Sequence, residues 1–152
     1  MYIIKSDYKS RILTELLNTI LTRIVEDETG MDEEVILQDV SKTAEDIIAG
    51  YSAKLYDIEP EWAKIGGARN YQILNWAVNI ALYLLYQRIE DYDVPQKVIK
   101  NYDDTIDSLE RLSMGKFNIN LPPAPINQDD LENNSGFGLR RIGSFKARTH
   151  RI

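Results

Sequence analysis

The sequence predicts an all-α fold: a compact, four-helix bundle-like domain with a short extended N-terminal stub and an extended C-terminal arm. Three observations predict it. Apolar residues recur at spacings of three and four through four separate stretches of residues 1–121, the period of a helix with one buried face. Only residues 117–121 alternate apolar and polar, so there is little from which to build a sheet. Pro122, Pro123 and Pro125 then interrupt regular structure. We divide the chain accordingly into a helical domain, 1–121, and a proline-rich linker with a basic arm, 122–152.

Tyr2-Ile3-Ile4 is short, apolar and β-prone, and Ser6 or Asp7 offers a helix cap after it. From Tyr8 onward Ile12, Leu13, Leu16, Leu17, Ile20, Leu21, Ile24 and Val25 mark a first helix, which Gly30 can stop in the left-handed conformation. Asp32 can cap a second helix, striped by Val35, Ile36, Val40, Ala44, Ile47, Ile48, Tyr51 and Leu55, with Pro60 closing the connection behind it. Gly66-Gly67 breaks the chain, and a third helix is expected from about Ala68. Between Trp76 and Tyr86 this helix is apolar almost all round, which places it at the centre of the bundle. Asp93 is a plausible cap for a fourth helix with Pro95 in its first turn, carrying Val98, Ile99, Tyr102, Ile106, Leu109 and Leu112, and Gly115 ends it. Phe117, Ile119 and Leu121 then read as a short strand or an extended arm.

A chain of 152 residues, 43% hydrophobic and 28% charged, has the composition of an ordinary globular domain and can bury about 70% of its unfolded surface. It has no cysteine, which excludes a disulfide framework, a thiolate nucleophile and a cysteine-ligated zinc site. The one histidine, His150, is the third residue from the end, a poor foundation for a triad or a multi-histidine metal centre. No apolar run approaches the length of a membrane span and the N-terminus lacks a signal-peptide core, so a cytosolic protein is expected. Charge is unevenly placed. Residues 1–135 carry 13 Lys and Arg against all 24 Asp and Glu, a net −11; residues 136–152 carry five bases and no acid, a net +5; together they make the −6 of the chain. An acidic body is a poor nucleic-acid grip, whereas the basic end can meet phosphates or an acidic protein surface, or simply be solvated.

Candidate chemistry is sparse. The acidic stretch 26–34 does not make a calcium loop: with Gly30 as the obligatory glycine, Val25 and Ile36 fall at the first and last ligand positions. Gly66-Gly67-Ala68-Arg69 lacks the Lys-Ser or Lys-Thr of a nucleotide-binding loop and reads as a helix start. Asp103, Asp104 and Asp107 share a helix region, with nothing to single one out for an apolar pocket. Arg69 and Arg88 bracket the third helix, where each can pair with a carboxylate of a neighbouring helix or subunit. Tyr71, Trp76, Tyr83 and Tyr86 serve either the core or a protein–protein interface, and Tyr83, Tyr86 and Arg88 are the candidate subunit-contact residues. No catalytic residue, metal ligand or cofactor site is expected.

The order of these landmarks resembles the Mu-like prophage head–tail connector family. The resemblance lies in the opening Tyr2-Ile3-Ile4-Lys5-Ser6-Asp7-Tyr8, in residues 40–56 with Ala44, Ile48, Gly50-Tyr51 and Leu55-Tyr56, in the run from Trp76 to Arg88 with its Leu-Tyr and Arg ending, and in Val98, Tyr102, Leu109, Leu112 and Gly115-Lys116. It covers residues 2–121. Asp57-Ile58-Glu59-Pro60 departs from the tight Leu-Pro of the family, and Lys54 stands near its frequent Arg. The resemblance implies a non-enzymatic adaptor that binds beneath the portal of a tailed phage, forms a ring, typically dodecameric, and extends the DNA channel. The implied partners are the portal protein, the next neck or tail protein, further copies of the chain and, transiently, channel DNA; no membrane is involved. The implied locations are the bacterial cytoplasm during assembly and the virion neck. Leu139, Arg140, Arg141, Ile142, Phe145 and Arg148, basic and apolar by turns, form the expected docking arm. Two other readings stand beside this one: a helical regulatory module whose basic tail contacts nucleic acid, and a small helical enzyme working through Asp103 or Asp107.

Overall fold

A computed structural model describes residues 1–27, 31–89 and 93–125. Five α-helices follow in order: α1 (Thr14–Asp27), α2 (Glu33–Ser52), a single turn α3 (Glu59–Trp62), α4 (Tyr71–Gln87) and α5 (Gln96–Ser113). Two 3-10 turns, Lys5–Ser10 and Gly66–Ala68, precede α1 and α4. The described residues contain no strand, so the all-α expectation holds.

α4 is the central helix. Ile73, Ala77, Ile80, Ala81 and Leu85 are fully buried, and Trp76, Val78, Leu82 and Tyr86 nearly so. It packs most extensively against α2, then against α5, and α2 and α5 also meet each other. α1 lies on the outside of this trio, burying Leu17, Ile20, Leu21 and Ile24, with Leu13 exposed just ahead of it. The α4–α5 contact carries a polar pin: the Asn79 amide donates to Thr105 Oγ1 at 3.0 Å, and that hydroxyl donates to Asn101 O at 2.7 Å. The hydroxyl thus uses both a lone pair and its proton, while Asn79 Oδ1 stays buried with no partner among the described residues.

The structure differs from the expected boundaries in four places, each with a local cause. The first helix does not run on from Tyr8. A 3-10 turn ends at Ser10, and α1 begins at Thr14, because Asp7 is committed to the Ile4 amide (2.8 Å) and to Arg69 rather than to starting a helix. α2 ends at Ser52, not Leu55, and Pro60 sits inside the extra turn α3, where its missing N–H costs nothing. α4 begins at Tyr71, not near Ala68: the Asn70 side chain accepts from the Gln72 and Ile73 amides at 3.0 and 3.3 Å and fixes the start. α5 begins one residue after Pro95, which holds the cap position expected of Asp93, and its carbonyl accepts from Val98 N at 2.8 Å. Asp32 does cap α2, through its backbone carbonyl to Ile36 N at 3.1 Å and not through its side chain. Gly30 lies outside the described residues.

Gly115 ends α5 as expected, with φ +70° and the Lys116 amide returning to Arg111 O at 2.9 Å. Beyond it Phe117, Ile119 and Leu121 lie half-buried against the core while Asn118 and Asn120 face outward, so the alternation is that of an extended arm. Packing continues past the boundary drawn at 121: Asp57 N donates to Pro122 O and Ala124 N to Leu55 O, both at 2.9 Å.

Candidate functional site

The N-terminal stub, Glu61 and Arg69 form the most highly connected polar cluster of the described residues. Tyr2 and Ile3 are each 1% exposed. The Tyr2 amide donates to Glu45 Oε1 at 3.1 Å, and Ser41 donates to the same oxygen at 3.0 Å. The Tyr2 hydroxyl donates to Glu61 Oε1 at 2.8 Å, and its ring meets Trp62 edge-on at 5.0 Å. Glu61 is fully buried and also accepts from the Asn70 amide and from Lys64 Nζ (2.7 Å). Burial opposes its charge, but the Asn70, Lys64 and Tyr2 bonds outweigh burial, and the carboxyl is held below its ordinary range. Tyr2 moves the other way, pushed up by burial and then by the Glu61 carboxylate, so its hydroxyl stays protonated and remains a donor.

Arg69 closes the cluster. Its guanidinium grips Asp7 with two bonds, 2.6 and 3.0 Å, donates a third to Tyr2 O at 2.8 Å and a fourth from Nε to Gly66 O at 3.0 Å. The paired side chains are only 8% and 11% exposed. These groups bond one another across the stub, α2, α3 and the start of α4, so the cluster acts as a clasp that fixes the stub.

What the protein offers to the outside is surface. Between α2 and α5 lies an open groove of about 370 Å³ lined by Asp46, Ile47, Gly50, Tyr51, Tyr102 and Ile106. Tyr83 of α4 stacks on Tyr102 with ring centroids 4.1 Å apart and planes 18° from parallel. Burial first, then the neighbouring Tyr83, Tyr51 and Asp103, push the Tyr102 hydroxyl up, so it too stays a donor. Aromatic side chains that combine an apolar face with a polar tip are the residues on which protein interfaces rely.

The residues singled out from sequence are placed as follows. Tyr83 is half-buried behind Tyr102, Tyr86 is 2% exposed within the core, and Arg88 bonds Asp39 of its own chain. Tyr83 thus backs the aromatic groove through Tyr102, and Tyr86 lies in the core beneath a second opening. Of the α4 aromatics Tyr71 is the exposed one, at 74%. Asp103, Asp104 and Asp107 lie on the wet face of α5, and no group of three acidic or histidine side chains among the described residues is arranged to hold a metal ion. Leu139, Arg140, Arg141, Ile142, Phe145 and Arg148 lie outside the described residues. Sequence reasoning missed Glu61, whose one-turn helix has no periodicity to reveal which way it faces; a carboxylate set between Pro60 and Trp62 was the available signal.

The buried charged groups of the clasp are spent on the fold, and the open groove between α2 and α5 is largely apolar and aromatic, features that binding and assembly modules share. The model of the family described as Bacteriophage Mu, Gp36 matches residues 2–135, and the chain belongs to that family. It is thus a Mu-like phage protein of structural or assembly type, which points away from an enzyme. No curated protein and no solved structure matches the chain. No described helix is long and apolar enough to cross a membrane.

Proposed function

We propose that this protein is a head–tail connector subunit of a tailed Mu-like phage or prophage. Copies assemble in a ring under the portal, the ring continues the DNA channel, and its far side receives the next neck or tail protein. Membership of the Bacteriophage Mu, Gp36 family over residues 2–135 is the observation that carries this reading. Two physical features support it. A rigid helical body with an aromatic groove suits repeated protein contact. A body of net −11 repels DNA phosphates, so a channel lined by it lets DNA slide rather than stick. In this reading the basic and apolar residues Leu139, Arg140, Arg141, Ile142, Phe145 and Arg148 dock on the portal or on a neighbouring copy.

The test is retention of the full chain, and of a chain ending at Ser135, on the portal protein encoded nearby, with imaging of the complex. A ring on the portal, weakened by the truncation, is the expected result. Absence of portal binding by both forms, together with salt-sensitive DNA retention by the full chain alone, would replace this reading with that of a nucleic-acid-binding regulatory module.

A further inference from the structure

A second groove, of about 250 Å³, opens where the start of α1 meets α4 and the start of α5. Its floor is apolar, with Leu82, Tyr86 and Val98 buried beneath Leu16 and Leu13, the latter 77% exposed. Its charged lining residues are Arg11 and Lys97, with no acid among them, an exception in a body that carries nearly twice as many acids as bases. Arg11 holds Asn75 Oδ1 at 3.2 Å, yet its Nε is buried and meets no hydrogen-bond acceptor among the described residues. A groove with an apolar floor and only basic charged residues in its lining is complementary to an apolar segment that carries carboxylates.

The same chain presents such a segment elsewhere. At the start of α2, Met31 and Val35 are exposed large apolar side chains, at 40% and 47%. Asp32 and Glu34, exposed beside them, supply the negative charge, while Glu33 is occupied by Lys5 at 2.8 Å. The groove lies at the N-terminal end of α1 and this knob follows its C-terminal end. Fourteen helical residues separate those ends by roughly 20 Å, too far for a chain to fill its own groove with its own knob.

We propose that the 31–35 knob of one copy seats in the Arg11–Lys97 groove of the next, a head-to-tail contact between identical chains. The inference rests on the self-assembling role proposed above and names the surfaces that carry it. Different patches meet, so the contact is heterologous and repeats around an axis to close a ring or runs on as a filament. Both patches leave the aromatic groove between α2 and α5 uncovered.

Sedimentation velocity of the full chain at rising concentration and low salt tests the contact with substitutions at exposed positions only. Lys97→Glu with Leu13→Ser disables the groove, and Glu34→Lys with Val35→Ser disables the knob. Each variant is expected to weaken self-association by roughly tenfold or more, with the helical circular dichroism unchanged. Mixed, the two variants retain one intact groove and one intact knob between them, and they are expected to form a heterodimer that grows no further. A wild-type chain that stays monomeric at near-millimolar concentration overturns the contact and leaves the portal reading standing. Association that both variants preserve overturns it as well. Portal binding lost in the groove variant alone, without any self-association, assigns the groove to the portal instead. Head-to-tail dimers from a chain that never binds a portal would sink the connector reading and keep the contact.

Discussion

The two ends of α4 carry the same kind of residue in different settings. At the N-terminal end Arg69 and Asp7 are 8% and 11% exposed and share two bonds, while the guanidinium also holds two backbone carbonyls. At the C-terminal end Arg88 bonds Asp39, whose carboxylate is 55% exposed. In sequence the two arginines look interchangeable, both flanking an apolar helix. What separates them is the depth of the carboxylate: water competes for Asp39 and scarcely reaches Asp7. The first pair holds a fold together, and the second adjusts a surface.

Substitutions can break this comparison, beginning with the deepest. Asp7→Ala strands a buried guanidinium and should cost about 3–5 kcal/mol, read as a fall in the urea midpoint at constant slope. Glu61→Gln keeps the shape but turns an amide group toward the Asn70 N–H and Lys64; a loss of about 2–3 kcal/mol is expected in the same measurement. Its pH dependence sharpens the point. The folded carboxyl of Glu61 lies below its ordinary value of 4.5, so its contribution is complete above 4.5 and disappears as pH falls through the lower folded value. The wild type should therefore lose stability below pH 4.5 more steeply than E61Q, and parallel curves would remove Glu61 from the account. Arg69→Lys keeps the charge and gives up the two-pronged grip, for about 1.5 kcal/mol, with thermal melting as the readout. Asp39→Ala, at the exposed end, should fall within about 1 kcal/mol of wild type. Equal losses for Asp7→Ala and Asp39→Ala would mean that burial does not distinguish the two ends.

How much of this was legible in the sequence depended on whether the determining contact was local. α4 was readable because its apolar residues run almost all round, a pattern that few positions other than a bundle centre accept. The stop at Gly115 was readable because a left-handed φ there favours glycine. The break between Ser10 and Thr14 was not readable, since Ile12, Leu16 and Leu17 continue the helical spacing straight through it while Asp7 answers to Arg69, 62 positions away. The Asn70 cap was equally hidden, because Gly66-Gly67 advertised an earlier start. As for the candidate site, the aromatics of α4 could be read as core or interface but not divided between them. That division depended on Tyr102, which reaches Tyr83 from another helix. The grooves were invisible for a general reason: a surface is made by neighbours in space, and periodicity reports only which side of one helix is apolar.

The clasp also sets an order of events during synthesis. Tyr2 leaves the ribosome 59 positions ahead of Glu61, and 67 ahead of Arg69, which caps its carbonyl. At about 5–20 residues per second, the stub waits roughly 3–13 seconds before Glu61 and Arg69 exist, although Ser41 and Glu45 emerge sooner. For that interval the Tyr2 ring lacks both its Glu61 acceptor and the Trp62 edge against which it packs. A nascent chain halted before Arg69 carries that segment unclasped throughout the halt, which makes the stub, although it precedes the helices in the chain, among the last segments of the body to be locked.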